Sequence, residues 1–161
     1  MNLTGYHGTN KSSANRIKLK GFKDSVNGWF GKGAYFYKGN QELAKKWAEK
    51  NFPDSKKVII EGQISVNENK IFDVRSPESE DSIYFHEYRN ALIKKIESEG
   101  NINRNSFDNL VFSMILKGKN KDLVLGNSFT YDNGPPSRIP NGVEICVINK
   151  SLINILRWIE I

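Results

Sequence analysis

The spacing of hydrophobic residues changes along this chain, and the change limits the fold class. Residues 57–66 (KVIIEGQISV) are rich in β-branched side chains and partly alternate, which predicts a strand. From residue 79 to residue 118 the spacing becomes helical, in two runs. Strand-like segments lie on both sides of these runs. We therefore expect an α+β domain with a two-helix insertion at about residues 76–118. The apolar residues of the two runs are Phe85, Tyr88, Leu92 and Ile96, then Phe107, Leu110, Val111 and Met114.

Cap and turn residues divide the rest of the chain into short elements. A helix is expected to begin at Ser12 or Ser13 and to end at Gly21, and Asn40 is the expected N-cap of a second helix. Residues 70–74 (KIFDV) are expected to pair with residues 57–66 as a hairpin. Further strands are expected at residues 3–7, 34–37, 123–125, 129–131 and 143–148 and in the tail INILRWIEI.

Length and composition favour one ordinary globular domain, residues 1–161. The net charge of +6 favours encounter with polyanions without showing that one is bound. Because Cys146 is the only cysteine, we expect neither a disulfide nor a bound metal. The sequence has no apolar run of signal-peptide length at its start and no stretch of 18 apolar residues. A cytoplasmic protein without membrane contact is the expectation.

Three short blocks contain residue types that suit a ligand pocket. His7-Gly8-Thr9 ends the first predicted strand, Tyr35 lies in FGKGAYF (30–36), and Glu144 lies in NGVEICV (141–147). In this order the blocks resemble the His, Tyr and Glu motifs of ADP-ribosyltransferases of the diphtheria-toxin and poly(ADP-ribose) polymerase type, in particular small bacterial toxins. The matching segments cover roughly a third of the chain.

The resemblance implies a split β-sheet core, with two packed, mainly antiparallel sheets and flanking helices, that binds NAD as a substrate. Tyr35 and Trp47 would flank the nicotinamide ring, as aromatic faces can. The backbone of Gly8 and the hydroxyl of Thr9 would hold the carboxamide. His7 would bind the adenosine ribose through a neutral imidazole.

The same resemblance implies a catalytic set of Glu144, Tyr35 and His7. Departure of nicotinamide leaves an oxocarbenium-like ribose, whose positive charge a carboxylate stabilises. Glu144, hydrogen-bonded to the ribose 2′-hydroxyl, would supply that carboxylate. One contact of this kind is typically worth about 3 kcal/mol, or about a hundredfold in rate.

Each of these residues also has an ordinary structural interpretation. A histidine beside a glycine is often a turn residue, and a tryptophan such as Trp47 on an apolar helix face is often part of the core. Glu144 at a strand start is often simply exposed. We interpret Cys146 as a small buried hydrophobe and His86 as structural.

The acceptor of the implied reaction is left open by the motifs. Gly142 stands where arginine-modifying members of the superfamily have an acidic or amide residue, which disfavours arginine as the target. The short insertion favours transfer of a single ADP-ribose over polymer synthesis. The segment 117–141 corresponds to the family's acceptor-facing loop, and its cations and rings slightly favour nucleic acid (RNA or DNA) over protein. These residues are Lys117, Lys119, Lys121, Phe129, Tyr131 and Arg138.

Three hypotheses therefore remain at this point. The first is a mono-ADP-ribosyltransferase acting on a macromolecule, as a toxin or phage-defence effector with an antitoxin partner. The second is an NAD glycohydrolase that uses water as the acceptor in the same pocket. The third is a catalytically silent nucleic-acid-binding or interaction domain.

Overall fold

The computed structural model describes residues 1–25, 27–97, 106–129 and 134–161. Within those residues the chain forms seven strands and four α-helices, which confirms the predicted mixture of strands and helices. In chain order they are β1 (Asn2–Asn10), α1 (Lys11–Lys20), β2 (Ala34–Lys38), α2 (Gln41–Asn51), β3 (Lys57–Ser65), β4 (Ile71–Asp73), α3 (Glu80–Glu97), α4 (Phe107–Lys119), β5 (Leu123–Ser128), β6 (Gly142–Val147) and β7 (Ile153–Glu160).

The described strands form one hydrogen-bonded sheet in the order β4-β5-β6-β2-β1-β3-β7. All neighbours are antiparallel except β4 and β5, which are parallel. The sequence predicted two packed sheets; the structure joins them, because β2 pairs with both β1 and β6. One buried cluster contains side chains from β1 to β6 and none from the described α-helices. In this cluster the strands of the sheet therefore pack against one another and not against a helix.

The insertion is where the hydrophobic spacing predicted it, because α3 and α4 lie between β4 and β5. The expected hairpin of residues 70–74 with residues 57–66 is wrong. Both edges of β3 are occupied, one by β1 and the other by β7, so β4 pairs with β5 instead. No strand forms at Phe129, and Thr130 and Tyr131 lie outside the described residues.

Helices cover the two faces of the sheet differently. Ala14 and Ile17 of α1 pack against residues of β3 on one face. Helix α2 packs on the other face, through Leu43, Ala44 and Ala48. Helices α3 and α4 cover the same face as α2, but over β4, β5 and β6. Between α2 and α4, a strip of this face is not covered by either helix, and a ligand site can form there.

The helix boundaries follow from their capping residues. The Asn40 side chain accepts a hydrogen bond from the Leu43 amide, as predicted. Helix α1 begins two or three residues earlier than expected because Asn10, and not Ser12 or Ser13, is its N-cap. Gly21 ends α1 as predicted, with a positive φ of 74° that side-chain-bearing residues rarely adopt.

The sheet is split at the contact between β1 and β2. Only two residue pairs join these strands, Gly5 with Lys38 and Tyr6 with Tyr37, whereas nine pairs join β1 to β3. From His7 onward, β1 therefore follows β3 and separates from β2. The separation opens a gap in the middle of the sheet.

Candidate active site

A cleft with a volume of about 1070 Å³ lies at the split between β1 and β2. This volume is at the upper end of the range for small-molecule sites and is large enough for a dinucleotide. Because the strands separate there, residues from both faces of the sheet reach the same space. The six residues that the sequence predicted all line it: His7, Gly8, Thr9, Tyr35, Trp47 and Glu144. The structure thus brings these six residues together in one cleft, whereas their roles in binding NAD stay predictions.

The His7 ring bridges the split. Its Nδ1 lies 2.7 Å from the backbone oxygen of Tyr35. A carbonyl can only accept, so Nδ1 donates and the neutral ring keeps Nε2 as an acceptor. Burial lowers the pKa of His7, although the hydrogen bond to the Tyr35 carbonyl partly opposes this shift. Phe22 and Phe36 hold the ring, with centroid distances of 5.3 and 5.6 Å. His7 is therefore a fixed, neutral acceptor near pH 7.

Gly8 and Thr9 follow His7 on β1. Gly8 faces helix α2, and Thr9 lies on the face of the sheet that α1 covers. A Cβ at Gly8 would stand 2.0 Å from the backbone oxygen of Ala44, so glycine is required for α2 to pack against β1. This requirement comes from the helix and is independent of any ligand. Thr9 is only 3% exposed and still lines the cleft, where its hydroxyl supplies a donor and an acceptor.

Glu144 lies on the strip between α2 and α4. It pairs in register with Tyr37 of β2 and with Gly126 of β5, so its side chain shares their face of the sheet. Burial raises the pKa of Glu144, and a hydrogen bond from the Ser128 hydroxyl opposes this rise. The carboxylate is thus partly desolvated and oriented by one hydroxyl.

The Tyr35 hydroxyl has structural partners. It accepts a hydrogen bond from the Phe30 amide at 2.9 Å and donates one to the Gly31 carbonyl at 2.7 Å. Burial is the largest cause of its raised pKa, followed by the nearby Cys146. Tyr35 therefore lines the cleft and also holds the loop that precedes β2, a role that the motif alone did not indicate.

The loop of residues 27–33 is fixed from two further directions. Asn109 of α4 donates to the Gly28 carbonyl at 2.6 Å. The Phe30 ring covers Gly126, where a Cβ would stand 2.2 Å from the ring. Between these two anchored residues, Trp29 remains 69% exposed and lines the cleft.

Trp47 lies on the α2 side of the cleft. The residue is 37% exposed, and its ring packs edge-on against Phe52, with centroids 5.8 Å apart. One part of the ring thus belongs to the protein interior and another to the cleft, so the two interpretations of Trp47 from sequence are compatible.

In the described part of the chain, four cations and three carboxylates line the cleft, and one of the cations, Arg75, is paired with Asp73. Arg16, Lys23 and Lys50 have no ion pair among the residues that the structure describes. The lining carboxylates other than Glu144 are neutralised, because Asp24 pairs with Lys150 and Asp108 with Arg89. A site with spare cations, aromatic rings and one carboxylate fits a dinucleotide with a pyrophosphate.

The lysines expected to face the acceptor lie elsewhere. Lys121 donates to the carbonyls of Asn69 and Ile71, both at 2.9 Å, and Lys119 stands 3.6 Å above the Tyr84 ring. Lys121 thus joins the segment before β5 to the start of β4, and Lys119 joins α4 to α3. Neither they nor Lys117 and Arg138 line the cleft, whereas Phe129 does, and an acceptor-facing role for these cations stays a prediction. Tyr131 lies outside the described residues.

Several residues of the site were missed from the sequence. Ser128 and Asn109 act on it through hydrogen bonds to Glu144 and Gly28, which lie in other segments, and Arg16 lines the cleft itself; no local pattern marks them. Trp29 precedes the FGKGAYF motif directly and could have been found there. His86, interpreted as structural, also lines the cleft, beside Phe85. Cys146 is fully buried, and burial raises the pKa of its thiol to about 12, in agreement with a small hydrophobic role.

Comparison with known proteins gives a fold-level match. No protein-family model matches the sequence, and the search of curated proteins finds no relative. Among solved structures, the chain is similar to a chain of the M. tuberculosis MbcT–MbcA toxin–antitoxin complex, with a TM-score of 0.50 and 9% sequence identity. The alignment covers 100% of this chain and 85% of that chain. The protein therefore shares its mixed α/β fold with a component of a toxin–antitoxin complex.

In the part of the chain that the structure describes, no helix combines the length and apolar character that a bilayer span requires.

Proposed function

We propose that this protein is an NAD-dependent mono-ADP-ribosyltransferase that transfers ADP-ribose to a macromolecule and releases nicotinamide. The observation that carries the proposal is the position of Glu144. A half-buried carboxylate, oriented by Ser128, lines the same cleft as His7, Thr9, Tyr35 and Trp47. This combination supplies a π-lined slot, ribose partners and one negative charge where positive charge would develop.

The chain's own groups support each step of this reaction. The Glu144 carboxylate stabilises positive charge on the nicotinamide ribose as the glycosidic bond breaks, and the bonding electron pair remains on the departing nicotinamide nitrogen. A nitrogen or oxygen of the acceptor then bonds to the ribose C1. Its proton passes to the Glu144 carboxylate and from there to water. His7 contributes a neutral Nε2 acceptor for a ribose hydroxyl.

The proposal includes a role as a toxin or phage-defence effector that an antitoxin neutralises. The fold shared with a component of the M. tuberculosis toxin–antitoxin complex supports this role. Among acceptors, nucleic acid is favoured over protein, because the protein carries a net charge of +6 and its cleft is lined by three cations that have no ion pair within the described ranges.

The decisive measurement is incubation with labelled NAD and separated RNA, DNA and protein fractions. We expect label in one macromolecular fraction and release of free nicotinamide. Glu144→Gln should reduce the rate at least a hundredfold. Glu87→Gln, which removes an exposed carboxylate of α3 outside the cleft, should change the rate less than twofold.

Two outcomes would contradict the proposal. Nicotinamide release with free ADP-ribose as the only labelled product would indicate NAD hydrolysis. Full activity of the Glu144→Gln variant would show that another group performs the chemistry.

A further inference from the structure

The loop of residues 27–31 holds an exposed tryptophan on a fixed backbone. A large ring left 69% exposed on an ordered protein surface is a frequent mark of a binding contact. Trp29 projects between two anchored neighbours: Asn109 holds the Gly28 carbonyl, and Tyr35 holds the Phe30 amide. The ring is therefore presented at low conformational cost to a ligand.

Trp29 shares the cleft with the proposed reaction centre, because both Trp29 and Glu144 line it. The next residue, Phe30, covers Gly126 with its ring, and Gly126 is the register partner of Glu144 on β6. The loop that carries Trp29 is therefore packed against the strand that adjoins the carboxylate.

The surroundings of Trp29 specify the chemistry of that group. Two further exposed rings, Trp47 and Phe129, line the same cleft. Three cations on the same lining, from α1, the following loop and α2, form no ion pair with another residue that the structure describes: Arg16, Lys23 and Lys50. Rings that stack bases, interleaved with cations that follow a phosphate backbone, are the pattern of single-strand nucleic-acid sites. A duplex keeps its base faces stacked inside and offers none to a ring.

We propose that Trp29 and its anchored loop form a stacking platform for a base of single-stranded nucleic acid, which is thereby presented to Glu144 as the acceptor. Asn109 is a positioning residue of this platform, because it fixes the backbone beside Trp29. The inference rests on the proposed function, since it names the acceptor of that transfer.

The test measures binding and transfer separately. Fluorescence anisotropy of a labelled 12-nucleotide single strand of mixed sequence gives the Kd, with a duplex of the same sequence as competitor. We expect Trp29→Ala to weaken binding about tenfold, within the range for loss of one base–aromatic stack. Trp29→Phe should restore most of the affinity. Leu19→Ala, at an exposed apolar residue of α1 outside the cleft, is the matched control and should leave the Kd unchanged.

The positioning role of Asn109 is tested by a double-mutant cycle. Asn109→Ala should weaken single-strand binding, but by much less when Trp29 is already alanine, because both changes remove the same contact. Additive losses would overturn this role.

Transfer distinguishes failure of the platform from failure of the proposed function. Equal Kd values for wild type and Trp29→Ala, preferred duplex binding, or transfer of ADP-ribose to protein alone would overturn the platform and leave the transferase proposal standing. Single-strand binding that depends on Trp29, in a protein that neither binds nor cleaves NAD, would support the platform as a binding site and overturn the transferase.

Discussion

Glu144 illustrates, at the scale of a residue, how a half-buried carboxylate can lower the stability of a fold. Its raised pKa means that the folded protein holds a proton at pH values where the unfolded chain has lost it. The stability that this proton contributes is fully present below the unfolded pKa, about pH 4. It is lost as the pH rises through the folded value. At neutral pH the ionised side chain therefore makes the fold less stable.

A measurable consequence is that Glu144→Gln should be more stable than wild type at pH 7, although the proposed function requires it to be at least a hundredfold slower. The difference in melting temperature should shrink as the pH falls toward 4, because the wild-type carboxyl then becomes neutral as well. Thermal melts of both proteins from pH 4 to pH 8 check this, with Glu87→Gln as the reference for loss of an exposed charge. A variant less stable than wild type at pH 7 would mean that the carboxylate has a stabilising partner.

At the scale of the element, the sequence predicted what local patterns determine. Asn40 and Gly21 specify helix ends through contacts within a few residues, and the helical spacing after residue 79 located α3 and α4. The partner of β4 was not predictable, because pairing depends on which strand edges remain free after the whole sheet forms. For the same reason Lys121, just before β5, could not be placed: its partners Asn69 and Ile71 lie 52 and 50 residues away in the chain.

The loop between α1 and β2 depends on one hydroxyl in a way that can be measured. Tyr35→Phe keeps the ring but leaves the Phe30 amide and the Gly31 carbonyl without their partner. Loss of these bonds should cost roughly 1–3 kcal/mol of unfolding free energy. Amide hydrogen exchange should accelerate at Phe30. Tyr88→Phe, in α3 and away from the cleft, is the matched control. Unchanged exchange in the Tyr35 variant would show that Asn109 and Gly126 suffice to hold the loop.

At the scale of the whole molecule, the cleft divides a single sheet into two halves joined by few hydrogen bonds. A ligand that contacts His7 on one half and Glu144 on the other adds a connection across the weakest join, and ligand binding to the folded state alone stabilises that state. NAD at 100 times its Kd should add about 2.7 kcal/mol. For a chain of this length the melting temperature should then rise by roughly 5–10 °C.

Differential scanning fluorimetry with NAD and with nicotinamide alone measures the shift, which should be larger for NAD because only the dinucleotide reaches both halves. His7→Ala should reduce the NAD shift, whereas Leu19→Ala should preserve it. The absence of stabilisation at millimolar NAD would rule out this cleft as a dinucleotide site and with it the proposed transfer reaction.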